Sequence, residues 1–364
     1  MSRIVVVHDV LGTLFSLTAP IRELESIFAD QFKDENAPPI LAELIIMVSC
    51  NVHDWSVLFV PVKEKKEKGR KRGKDHLSLK EFIKEQIWLT NVPLFSNKPF
   101  ELQDWYHATQ RDFTTLSING NYLPIGTVFK STLPRILLQA GLIPPDQYNK
   151  DKSNDKFTTL AKAGSGIQPV PGNQDPFPES VKDRIMASLG KLEPRPGMVE
   201  AFSKTYRDEQ LVPKHVKQVE LWGATNGGLA LGEKLFKGAL GGDTEVFIGD
   251  DGVGEKQVMR NTLGKGVGLF SCDEIKIAKP EPKVYEAIQN RIKTNSSSSS
   301  FSSWFVASHT WDLFAAKKAG FKTAWVGYEE FFTCPEIYQK PDIIANDLEE
   351  AARKILEWEG KEGQ

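Results

Sequence analysis

The sequence predicts a doubly wound α/β sheet, interrupted after its first strand by a mainly helical insert. Short apolar runs recur at Ile4–Val7, Val219–Trp222, Val246–Ile248, Trp304–Ala307 and Thr323–Val326. Unbroken apolar runs of that length suit parallel strands covered on both faces. Helical patterns lie between several of them, which is the rhythm of a sheet wound with crossover helices. The first run is cut off from the second by a long stretch of different character, so the α/β core is expected to be discontinuous.

Taken in order, Ile4–Val7 ends in His8-Asp9, and Gly12 just beyond permits a tight turn. Backbone N–H groups of that turn are expected to face the Asp9 carboxylate. Residues 19 to 185 hold helical stretches, such as Phe100–Leu116 and Thr127–Ala140, and polar loops. The expected division is an α/β core of 1–18 and 190–364 with an insert of 19–189. Pro282 opens a helical pattern through Ile288, with proline near its start. Asp312 to Ala319, stopped by Gly320, predicts another helix. Three segments read as loops: the basic run 63–74, the Pro- and Gly-rich stretch 149–179 and the serine tract 296–300. No internal repeat is visible.

The chain has 364 residues, enough for two domains or one domain with a large insert. Lys plus Arg number 46 against 48 Asp plus Glu, a formal charge of -2. That balance argues against nucleic acid as a partner. Three scattered cysteines cannot form a disulfide framework and fit a reducing compartment. The apolar opening is too short for a signal peptide, and the longest apolar stretch is broken by Glu43, Asn51, His53 and Asp54. The expectation is a soluble, cytoplasmic protein without a membrane partner.

The chemistry-bearing residues sit at strand ends, where open α/β sheets place their ligands. Asp9 follows the first strand and, as a carboxylate at neutral pH, is a candidate nucleophile. Thr225 and Asn226 follow the second, Lys279 precedes a helix, and Asp312 lies just past the Trp304–Ala307 run. Each alone has a bland reading as a turn or cap. The pair Asp250-Asp251 reads as a turn, and His53, His76, His107 and His215 lack metal-ligand spacing.

Asp, Thr/Asn, Lys and Asp in this order resemble the four-motif signature of the haloacid dehalogenase-like (HAD) hydrolase superfamily. Within it, 271–280, 305–312 and the helical stretch 105–142 are most similar to the L-2-haloacid dehalogenase group. The resemblance implies a Rossmann-like core with a helical cap. It also implies a hydrolase that needs no cofactor and acts on a small 2-substituted carboxylic acid. Phosphatases of the superfamily carry a proton-donating Asp two places after the nucleophile; here Leu11 stands there. Leucine cannot protonate an alkoxide, whereas halide leaves without a proton, so Leu11 favours carbon–halogen displacement.

By the same resemblance, Asp9 attacks the substrate and Lys279 supports its charge. Thr13 and Thr225 bond carboxylates, Asn226 holds substrate or halide, Tyr285 lies near the lysine, and Asp312 directs water. Two departures mark the chain. The cap arginine of the group is replaced by Tyr106, or by His107 under a one-residue slip, with Arg111 further along the helix as a substitute cation. Ala307 and His309 replace a serine and an asparagine, and His309 is a candidate base or hydrogen-bond donor. Two rival readings stand beside the first. One is a magnesium-dependent phosphatase with Mg²⁺ at Asp9 and Asp312. The other is a non-catalytic binding protein. A homodimer is left open.

Overall fold

The computed structural model describes residues 2–32, 103–140, 142–147, 171–248, 266–294 and 301–362. The basic run, the serine tract, Asp250-Asp251 and most of the 149–179 stretch lie outside the described residues. The chain begins with strand β1 (Ser2–Asp9) and a short β2 (Phe15–Ser16). Helices α1 (Thr18–Ile27), α2 (Ala29–Phe32), α3 (Gln103–Ile118), α4 (Ile125–Gln139) and α5 (Glu179–Ser188) follow. After β3 (Glu193–Pro194) and α6 (Met198–Ser203) come β4 (Val216–Thr225), α7 (Leu229–Leu240), β5 (Val246–Ile248) and β6 (Val267–Ser271). The last part holds α8 (Cys272–Ile275), α9 (Pro282–Thr294), β7 (Phe301–Ala307), α10 (Thr310–Lys318) and β8 (Lys322–Val326). It ends with α11 (Pro335–Tyr338), β9 (Ile343–Ala345) and α12 (Leu348–Glu362).

Seven strands form one sheet in the order β5-β6-β4-β1-β7-β8-β9, and every pairing is parallel. This is the doubly wound sheet expected from the apolar runs. Alternation along β1 separates two cores. Ile4 and Val6 pack with Met198, Phe202, Phe236 and Ile355 on one face. Val5 and Val7 pack with Tyr285, Ile288, Phe305 and Leu313 on the other. Burial on both faces is why these strands read as continuous apolar sequence.

β6 was not among the expected strands. Its Gly268 leaves room for the Trp222 indole, which a Cβ there would meet at 2.4 Å. A glycine used for close packing hides a strand behind a loop-like sequence. The helical expectations at 100–116 and 127–140 correspond to α3 and α4. Their Trp105, Phe113, Phe129 and Leu133 join the same apolar cluster as Ile4 and Val6. No described helix is long and apolar enough to cross a membrane. The two described cysteines, Cys272 and Cys334, are free.

β1 is the switch point of the sheet. The chain runs from β4 outward to one edge, then crosses to β7 on the other side of β1. The crevice at the carboxyl ends of β4, β1 and β7 is where such sheets bind ligands, and β1 delivers Asp9 there, in register with Ala224.

Candidate functional site

The Gly12 turn shapes the first wall. Gly12 has φ +86°, a conformation costly for residues with a Cβ. Gly12 N–H donates to the Phe15 carbonyl at 2.9 Å, and those of Leu14 and Phe15 donate to Val10 at 3.0 Å. These N–H groups therefore close the turn rather than face the carboxylate. The Thr13 hydroxyl does that instead, donating to Asp9 Oδ2 at 2.9 Å while accepting the Ser308 N–H at 2.9 Å.

Lys279 is the centre of the site. It is 1% exposed. Its Nζ donates to Asp9 Oδ1 at 2.5 Å, to Asp312 Oδ2 at 2.7 Å and to the Ala224 carbonyl at 3.3 Å. Three N–H donors thus meet three acceptors, the condition under which a buried charge is tolerable. The two carboxylates push the lysine further above its ordinary range, although burial alone would lower it. Tyr285 donates its hydroxyl to Asp312 Oδ1, and burial followed by the Asp312 charge pushes the phenol well up. Asp312 is fully buried. Burial drives its carboxyl up to about 6, with Lys279 pulling down and Asp9 pushing up.

Asn226 links this floor to helix α3. Its Oδ1 accepts the Lys279 N–H at 3.0 Å and its Nδ2 donates to Gln110 Oε1 at 3.1 Å. Gln110 Nε2 then donates to the Tyr106 hydroxyl at 2.9 Å, which donates to the Leu11 carbonyl at 3.2 Å. Leu11 is 5% exposed and Tyr106 1%. Tyr106 stacks on His309 with ring centroids 5.6 Å apart, and Trp311 stacks on the imidazole at 5.7 Å. His309 is fully buried, yet neither ring nitrogen has a protein partner. Burial lowers it to about 4, so the ring is neutral near pH 7.

The structure thus brings Asp9, Leu11, Thr13, Tyr106, Asn226, Lys279, Tyr285, His309 and Asp312 together. Two expected residues stand apart from their expected contacts. Arg111 has a side chain 66% exposed and bonds Asp112 at 3.1 Å, because its position on α3 faces solvent while Tyr106 faces Leu11. Thr225 is buried at the end of β4, but its hydroxyl oxygen accepts the Gly227 N–H at 2.8 Å, capping its own turn. His8, beside Asp9 in sequence, points to the opposite face against Phe202 and Tyr206.

Sequence reading missed Gln110, Arg195, Ser308 and Glu329. Arg195 Nε donates to the Gly12 carbonyl at 3.2 Å, and its guanidinium pairs with Glu329. No local signal marks Arg195, which lies between two prolines in a turn-like sequence.

A magnesium ion at Asp9 and Asp312 does not fit this donor set. Each of the four carboxylate oxygens already accepts a donor, from Lys279, Thr13 or Tyr285. Among the described residues no group of three or more His, Cys, Asp or Glu is placed to hold a metal.

No protein-family profile matches the sequence. Over 82 residues the chain is 33% identical to (S)-2-haloacid dehalogenase 2 of Pseudomonas sp. (strain CBS-3), a match covering 22% of this chain and 34% of that protein. The chain therefore matches about a third of that relative's length. The structure of L-2-haloacid dehalogenase from Xanthobacter autotrophicus with chloropropionic acid covalently bound superposes with a TM-score of 0.51. The two are 14% identical, and the alignment covers 98% of each chain. A second structure of L-2-haloacid dehalogenase from Xanthobacter autotrophicus gives a TM-score of 0.49 at 14% identity, covering 98% of each chain. The chain thus has the haloacid dehalogenase-like fold, and over one stretch its sequence resembles a 2-haloacid dehalogenase.

Proposed function

We propose that this protein is a HAD-type hydrolase in which Asp9 is the nucleophile and a small 2-substituted carboxylic acid, of the 2-haloacid kind, is the substrate. Residues 19–189 are read as its cap and 1–18 with 190–364 as its core. The observation that carries the proposal is the buried arrangement of Lys279 between Asp9 and Asp312, beside a Leu11 that has no proton to give.

A carboxylate oxygen of Asp9 attacks the α-carbon, the carbon–halogen bond breaks, and halide leaves with the bonding pair. Lys279 stabilises the anionic nucleophile before attack and again when the ester is cleaved. Water then attacks the aspartyl ester at its carbonyl carbon. Asp312, oriented by Tyr285 and Lys279, takes the proton from that water. The acyl–oxygen bond then breaks, the leaving oxygen takes the proton held by Asp312 to give the 2-hydroxy acid, and Asp9 returns to its carboxylate as the second water proton passes to solvent. Thr13 and Lys279 hold the two Asp9 oxygens and so fix the plane of the attacking carboxylate. Asn226 orients the Lys279 backbone and the Gln110–Tyr106 chain. One similar protein is described with chloropropionic acid covalently bound, and the proposal brings that chemistry to Asp9.

The test is halide release from a panel of 2-haloacids without added metal, with mass spectrometry of the protein during turnover. The expected result is halide release and a mass increment on Asp9, both lost in Asp9→Asn. No halide and no adduct with any acid would remove the proposal. Phosphate release dependent on Mg²⁺ would favour the phosphatase alternative.

A further inference from the structure

The proposed substrate carries a carboxylate of its own, and Lys279 has no donor left for it. Arg111 faces solvent. The described arginine that does reach the site is Arg195, which bonds the Gly12 turn just beyond Asp9. Its backbone N–H donates to Leu14 at 2.8 Å, and its Nε to Gly12 at 3.2 Å. Gly12 is three residues beyond Asp9 in the same turn, and a Cβ on it would meet His309, so the Gly12 carbonyl ties Arg195 to this wall.

This guanidinium is 19% exposed and is paired with Glu329, 4% exposed. A buried guanidinium requires a carboxylate, and the planar fork suits one carboxylate as well as another. Glu329 lies in the segment after β8, between Tyr328, whose hydroxyl donates to the Pro196 carbonyl and accepts the Leu348 N–H, and Glu330, which accepts from the Thr310 N–H and hydroxyl. Its neighbours hold the backbone, so exchange at Arg195 requires movement of the Glu329 side chain alone.

His309 supplies an independent observation. It is fully buried with both ring nitrogens unpartnered, and a buried polar atom of that kind calls for a ligand or an ordered water. A Cβ built on Gly12 would stand 3.0 Å from His309 Cε1 and 3.7 Å from Glu329 Cδ. Cε1 lies between the two ring nitrogens, so the unpartnered imidazole and the Glu329 carboxylate border the same small volume above Gly12.

We propose that Arg195 and His309 form the subsite for the carboxylate of a 2-substituted acid, and that Glu329 fills this subsite until the acid displaces it. The inference rests on the reading of Asp9 as a nucleophile toward such acids. Exchange of one carboxylate for another leaves the net charge of the buried site unchanged. His309 contributes one neutral N–H to the incoming oxygen. Specificity then follows: acids bind, and their neutral amides do not gain from the guanidinium.

The experiment is calorimetric titration of the full-length protein with lactate and with lactamide, alongside KM for 2-chloropropionate. Removing the resident carboxylate in Glu329→Gln is expected to tighten lactate on the order of tenfold and to lower KM. Arg195→Met is expected to weaken lactate by about thirtyfold or more, with Arg195→Lys intermediate and lactamide indifferent to all three. A merely structural pair would give the opposite sign for Glu329→Gln: weaker or unchanged lactate binding with lower stability. That result overturns the proposal even where Arg195→Met fails to fold. Absence of lactate binding to the unmodified protein overturns it as well. The Asp9 reading fails separately, through absence of the covalent adduct while Arg195-dependent lactate binding persists.

Discussion

The floor and the wall of the site are built on different terms. On the floor, Lys279, Asp9, Asp312, Thr13 and Tyr285 satisfy one another completely, with each carboxylate oxygen and each ammonium proton paired. On the wall, His309 has no protein partner for either nitrogen, and Arg195 is neutralised by a carboxylate from a segment with exposed phenylalanines. A fully satisfied network is rigid and costly to disturb. A wall with unpaired or exchangeable groups is suited to accepting a ligand. The difference separates where bonds are proposed to change from where the substrate is proposed to be recognised.

The sharpest way to break the contrast is to remove the ammonium. Lys279→Met leaves two buried carboxylates facing each other without a cation. Breaking a buried ionic group by deleting one member costs about 3–5 kcal/mol. Denaturant unfolding of the variant is expected to show a loss of that size together with loss of halide release. A stability change of under about 1 kcal/mol would mean that water reaches the floor, and the contrast would collapse.

A smaller effect is expected at Tyr285. Burial has raised Asp312 to about 6, and the proposed proton acceptor must be ionised. Halide release should therefore be present above about pH 6 and decline as pH falls through it. The Tyr285 hydroxyl bonds the ionised carboxylate and holds its proton affinity down. Removing it in Tyr285→Phe raises that affinity, so the acid limb moves to higher pH. A hydrogen bond to a charged group contributes about 1.5–3 kcal/mol, which corresponds to a displacement of about one to two pH units. The limb belongs to the Asp9–Lys279–Asp312 group as a whole, and a pH–rate profile of both proteins measures it. A limb that stays in place would remove Asp312 as the proton acceptor.

Much of the floor was legible in the sequence, and little of the wall was. Asp9 and Asp312 lie within a few residues of apolar strands, and Lys279 precedes a helix-starting proline. Strand ends and helix starts are local features, so these residues announce themselves. Leu11 was readable for the same reason, being two places from Asp9. Arg195 and Glu329 belong to no such pattern. They meet Gly12 only because β3 pairs with β2 and the segment after β8 returns over the carboxyl ends of the strands. Contacts among residues 12, 195 and 329 are products of topology, which a single sequence does not display. Tyr106 was noted as a departure, but its bond to Leu11 and its stacking on His309 required the packed helix. The fold shows the same division. β1, β4 and β7 are apolar enough to read directly, whereas β6 carries a glycine whose purpose appears only once Trp222 is seen against it.

The smallest expected effect sharpens the comparison most economically. Arg111 and Arg195 are both candidate cations by charge, and the structure treats them oppositely. Arg111, itself exposed, bonds its half-buried neighbour Asp112, which Arg135 also reaches. Exposed pairs of this kind contribute about 0–1 kcal/mol, and Asp112 retains a partner when Arg111 is removed. Arg111→Ala is therefore expected to leave stability within about 0.5 kcal/mol and KM for 2-chloropropionate unchanged. Arg195→Met under the same assay raises KM. If instead Arg111→Ala raised KM and Arg195→Met did not, helix α3 would have to turn its outer face toward Asp9 in the working protein. The wall as seen here would then be the wrong one for recognition.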